Sequence, residues 1–76
     1  MPMSNFMLRR EVNKDCSFTH VVNFLTANNV ASYEDVLPMF KAFHLKGEDV
    51  VVHLPDALDS DFMSALTAVK FRYEKT

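Results

Sequence analysis

The chain has 76 residues, 49% of them apolar and 24% charged, with a formal net charge of −2. A length of this order predicts one compact domain over 1–76 that buries only about 60% of the surface its unfolded form exposes. The near-neutral balance argues against a strongly basic nucleic-acid binder and against an acidic nucleic-acid mimic. One cysteine, Cys16, cannot staple the chain to itself, and this predicts a reducing, cytoplasmic setting. Met1 to Met7 shows no basic region followed by an apolar run, so no secretion signal is expected there. Apolar runs such as Val50-Val51-Val52 fall far short of a membrane span.

The first element expected is a half-buried strand over Ser4 to Val12, with Phe6, Leu8 and Val12 on one parity, Met7, Arg9 and Glu11 on the other, and Arg10 as the exception. Asn13-Lys14-Asp15 reads as a turn. Asp15 or Ser17 then caps a helix in which Phe18, Val21, Val22 and Leu25 share a face, and Asn28-Asn29 stops it. Ser32 with Asp35 three residues later is a variant capping box for a second helix. Its apolar stripe is Tyr33, Val36, Leu37, Phe40 and Phe43, Pro38 should kink or restart it, and Gly47 caps its end. Asp49 to Leu54 reads as a buried strand ended by Pro55 and Asp56. Asp59 or Ser60 opens a third helix carrying Phe62, Ala65 and Leu66.

The tail supports two readings. As a helix it would extend the stripe through Val69 and Tyr73. As a strand from about Ala68 to Glu74 it buries Val69, Phe71 and Tyr73 on one face, and only that reading buries Phe71. The strand reading gives an α+β fold in the order β-α-α-β-α-β. A short mixed sheet of about three strands is packed by an αα-hairpin and a third helix; the alternative leaves the C-terminal segment wholly helical.

Signals of chemistry are weak. Cys16 and His20 are four apart on one helical face, and His44 and His53 could complete a metal site, but the spacing fits no established zinc pattern. Asp15 beside Cys16 opposes thiolate formation, and a glycine-poor chain has little from which to build an oxyanion hole. Asp56, Asp59 and Asp61 lack the glycine and the distal Glu of a calcium loop and suit turns and helix starts instead. Tyr33, Glu34 and Asp35 would repel phosphates at the start of a DNA-reading helix. No catalytic residue, metal site or cofactor is therefore expected.

These exclusions leave a non-enzymatic protein–protein interaction module, a small regulator, adaptor or inhibitor acting by docking. Seven Phe and five Met exceed what so small a core requires, so some should reach the surface as an interface. The expected contact residues are Met7, Arg9, Met39, Phe43, Lys70 and Arg72. They would act in a homodimer or a heteromeric complex, through a strand edge or through the helix face around Met39 and Phe43. The competing reading is a small nucleic-acid binder using Arg9, Arg10, Lys70 and Arg72. The rings Phe71 and Tyr73 fall on the opposite parity from those cations, and the mixed charges suit cross-strand ion pairs.

Overall fold

In the computed structural model, residues 2–75 are described. They form, in order, β1 (Met3–Leu8), a 3-10 turn (Glu11–Asn13), α1 (Thr19–Ala27), α2 (Tyr33–His44), β2 (Val50–Pro55), a second 3-10 turn (Asp56–Leu58), α3 (Asp59–Ala68) and β3 (Glu74–Lys75). This is the α+β order expected from the sequence. The sheet order is β2-β1-β3 and both pairings are antiparallel, so the sheet is not mixed. The β1–β2 register runs without a bulge from Met3↔Pro55 to Leu8↔Val50.

Period-two alternation decides which side of the sheet is sealed. Phe6, Leu8, Val52 and Leu54 are all within 1% of fully buried, and they meet Phe18, Val21, Leu25, Val36, Phe43, Phe62 and Leu66 from the helices. The phenyl rings interlock in two chains. Phe24, Phe62, Phe6 and Tyr73 are linked by centroid distances of 5.1, 5.0 and 5.7 Å. Phe40, Phe18, Phe43 and Phe71 are linked at 6.3, 5.1 and 5.7 Å. Truncating a buried ring such as Phe6 to alanine would cost about 3–5 kcal/mol.

Several boundaries differ from expectation for identifiable reasons. β1 ends at Leu8, because Arg10 turns into the 3-10 segment, donates to the carbonyls of Asn13 and Lys14, and places its guanidinium 5.1 Å from the Phe43 ring centroid. Val12, inside that turn, is 47% exposed. Pro38 does not restart α2, which is one continuous helix across it; the proline has no N–H to give the Glu34 carbonyl. The Ser32–Asp35 capping box forms in both directions, at 3.3 and 3.4 Å. Tyr33, placed in the buried stripe by its spacing, is 63% exposed.

Neither α1 nor α3 has a side-chain N-cap of the expected kind. Phe18 and Leu58 occupy those positions, displacing Asp15, Asp59 and Ser60; Ser17 Oγ accepts only the Thr19 N–H, at 3.3 Å. At α1 the Phe18 N–H instead donates to Nε2 of His44, at 3.0 Å. One helix is thus capped by a side chain of its neighbour.

The tail resolves into both readings in succession. Helix α3 continues through Ala68, then Lys70 enters the left-handed region with φ 60°. The Lys70 N–H reaches the Thr67 carbonyl at 3.0 Å and the Phe71 N–H reaches the Leu66 carbonyl at 2.8 Å. This bond pair is a Schellman ending, and Phe71 and Leu66 both belong to the buried core. Beyond it the chain is extended, Phe71 is buried and Tyr73 half-buried, and only Glu74 and Lys75 pair with β1. α1 ends in the same way at Asn29, φ 56°, with Asn29 bonded to Thr26 and Val30 to Leu25. Gly47, φ 68°, closes α2 through a wider turn in which Glu48 N–H reaches the Ala42 carbonyl.

Candidate interaction surface

The side of the sheet away from the helices carries the alternate residues. From β1 it presents Met3, Asn5 and Met7, and from β2 Val51, His53 and Pro55, paired as Met3↔Pro55, Asn5↔His53 and Met7↔Val51. Met3 is 53% and Val51 39% exposed, while their neighbours Ser4, Val50 and Val52 are buried. The central pair is polar: His53 Nδ1 hydrogen-bonds to Asn5 Oδ1. Two apolar pairs therefore flank one polar pair on an uncovered surface.

Charged groups rim this face. Arg9 Nε donates to Glu74 Oε2, and its Nη1 lies 3.8 Å from Asp49. The Glu74 carboxylate, with Asp49 adding to it, raises the Arg9 pKa further above its ordinary value. Such exposed pairs contribute little to stability. At the other end of β3, Lys75 Nζ donates to Asp59 Oδ2 at 2.7 Å, which holds the Asp59 carboxyl below its usual range and raises Lys75. The buried Ser4 hydroxyl donates to Asp56 and, at 3.4 Å, to Asp59. A polar group on the core parity of β1 is in this way hydrogen-bonded.

The junction with the tail depends on Asn13, which is 1% exposed. Its Nδ2 donates to the Arg9 carbonyl at 2.8 Å and the Arg72 carbonyl at 2.9 Å, and its Oδ1 accepts the Arg72 N–H at 2.7 Å. The amide thereby pairs with both backbone groups of Arg72, as a neighbouring strand would.

Of the six expected contact residues, Met7, Arg9 and Arg72 line one shallow cavity of about 210 Å³, together with Val12, Tyr73 and Glu74. Lys70 is exposed but sits at the end of α3, and Met39 is half-buried against the core. Phe43 is fully buried, so the helix face around Met39 and Phe43 is not free to meet a partner: Phe18, Phe71, His44 and Arg10 already surround that ring. A second cavity, about 230 Å³, lies between α1 and α2 beside Val22, Tyr33, Val36, Leu37 and Phe40.

The surplus of apolar residues is distributed differently from expectation. Five of the seven Phe are buried and the other two pack partly against the core, whereas among the described methionines Met3 is the one that stands out in solvent. Met3, Asn5, Val51 and His53 were not among the expected contact residues. His53 inside the run from Val50 to Leu54 was the available signal, since a polar residue in an apolar strand marks a side that faces water.

The residues weighed for metal binding are engaged separately. Cys16 Sγ approaches the Lys70 carbonyl at 3.6 Å, His44 caps α1, and His53 is on the outer sheet face. Among the described residues no three His, Cys, Asp or Glu side chains converge as a metal site would require, and no helix is long and apolar enough to cross a membrane.

Fold and surface together define a small α+β domain with a three-stranded antiparallel sheet covered on one side. Compared with protein-family models, curated proteins and solved structures, the chain matches none.

Proposed function

We propose that this chain is a non-enzymatic docking module, a small adaptor, regulator or inhibitor that meets a protein partner through the outer side of its sheet. One observation carries the reading: Met3, Met7, Val51 and Pro55 form apolar pairs on a face that no helix covers, in a chain that packs all seven phenylalanines into or against its core. Exposed apolar area of this kind, rimmed by charge, favours protein association. The non-enzymatic part is supported by the same inventory, because Ser4 is 3% exposed and His44 is committed to a backbone N–H.

Nucleic-acid binding through Arg9, Arg10, Lys70 and Arg72 draws less support. Arg9 is paired with Glu74 and Asp49, Arg10 is bound to carbonyls and the Phe43 ring, and the nearby aromatic rings Phe71 and Tyr73 are packed toward the core.

The test is a comparison of proteins captured from the native host by the wild-type chain and by the double variant Met3→Lys/Val51→Lys. Both sites are exposed, so the variant should fold. Proteins retained by the wild type and lost by the variant support the reading. Identical captured sets, or none above background, refute it.

A further inference from the structure

The sheet has two unequal edges. β3 contributes two residues, and its lysine, Lys75, is held by Asp59. β2 is six residues long, pairs with β1 without a bulge, and leaves its other edge unpaired. Natural edge strands are commonly guarded by an internal lysine or proline, a bulge or an inward charge. None of these interrupts Val50 to Leu54, and Pro55 stands only at the end. Alternate N–H and C=O groups of that run point outward, ready to accept another strand.

Charge identifies what that strand should be. Glu48 and Asp49 precede β2, Asp56 follows it, and all three are exposed. Asp49 is partly satisfied by Arg9 and by the Arg10 N–H, and Asp56 by the Ser4 hydroxyl. Among the described residues no cation lies within ion-pair distance of Glu48. A second copy fits poorly. Antiparallel self-pairing must keep the buried sides together, and the register that overlaps the whole run from Val50 to Leu54 is centred on Val52, with Val50 opposite Leu54 of the second copy; the register centred on His53 instead brings Pro55, which has no N–H, into the pairing. In the Val52 register, one step further, Glu48 faces Asp56 of that copy, and the contact repeats at the other end by symmetry. Like charges directly opposite one another destabilise a pair of strands.

We propose that the free edge of β2 takes an extended segment of a partner protein by strand addition, with an alternating apolar core and Lys or Arg at both ends. The backbone edge supplies the hydrogen bonds, and Glu48, Asp49 and Asp56 select the basic flanks. The inference rests on the docking reading above and specifies the partner at one edge of the same sheet.

The experiment is selection of random twelve-residue peptides displayed on phage against the full chain, followed by amide chemical-shift mapping with the most enriched synthetic peptide. Expected are peptides with basic residues flanking an alternating apolar run and shifts concentrated in Val50 to Pro55. Glu48→Lys should weaken such a peptide by about threefold to tenfold, and added salt should weaken the wild-type complex. Enriched peptides without basic flanks, or ones that map to Met3 and Met7, overturn the edge inference and leave the docking reading standing, whereas peptides that map to the cavity between α1 and α2 overturn both. If no peptide is enriched, both fail.

Discussion

Glycine at position 70 should give a more stable protein than alanine, and the sign of that difference tests the ending assigned to α3. Lys70 has φ 60°, a region that costs a residue with a Cβ about 1–2 kcal/mol relative to glycine. Glycine's greater freedom in the unfolded chain returns about 0.4–1 kcal/mol of that. Losing a cation near a helix C-terminus removes a further contribution of about 0.3–1 kcal/mol, so the cleaner comparison is Lys70→Gly against Lys70→Ala, neither of which carries the charge. The Lys70 carbonyl that Cys16 approaches, and the N–H bonded to Thr67, are backbone groups and survive both changes.

In this geometry glycine should exceed alanine at position 70 by about 0.5–1 kcal/mol, or roughly 2–8 °C in Tm. In an unbroken helix through Tyr73 the order would reverse, with glycine about 1 kcal/mol below alanine. The two structures thus predict opposite signs, separated by well over the error of a denaturation midpoint. Thermal and urea unfolding of the two variants decides the matter. Alanine more stable than glycine would refute the left-handed ending and with it the extended tail.

Asn13→Ala should cost about 2–3 kcal/mol, since it strips three hydrogen bonds from a fully buried site and leaves the Arg72 backbone unpaired; amide exchange should accelerate first around Arg72 to Lys75. Ser32→Ala should cost about 1 kcal/mol by breaking the capping box of α2, measurable in the urea midpoint. His44, pushed below its ordinary 6.5 by burial and then by Arg10, accepts the Phe18 N–H only when neutral. The unfolded chain therefore takes that proton first, and the stability His44 contributes is present above about pH 6.5 and lost as the pH falls below it. Urea midpoints between about pH 7 and pH 5 should decline in the wild type and decline less in His44→Gln; an NMR titration placing His44 above its ordinary value would refute this.

Element order was legible in the sequence because the signals involved are local. The Val21, Val22 and Leu25 spacing and the Ser32–Asp35 box depend on neighbours within one or two turns. What escaped depends on contacts distant in sequence. Asn13 reads as a turn residue, and only its bonds to Arg72, 59 positions away, make it a core residue. His44 becomes a cap only when α2 lies against the start of α1. Phe43 looked available because helix spacing says which face is apolar but not how completely a neighbour covers it. The tail was read as helix or strand, when the unfavourable backbone of Lys70 makes it helix and then extended chain.

The same long-range packing explains the character of the candidate surface. With β1 central and the helices packed on one side of the sheet, the side chains that alternation turns inward are buried, and those it turns outward stay exposed or half-exposed. The phenyl rings are thus consumed by the interior, and the apolar area on the outer side of the sheet comes from Met3 and Val51 with the half-buried Met7 and Pro55, while Val12, Tyr33 and Leu45 are exposed elsewhere. The β1–β2 register fixes the backbone beneath this surface, so the ordering cost of association falls on its side chains, Met3 and Met7 above all. Of its two edges, only β2 offers an uninterrupted row of backbone groups. If a partner approaches from that side, the acidic brackets at Glu48, Asp49 and Asp56 act on its charge before any side chain of the flat face is buried.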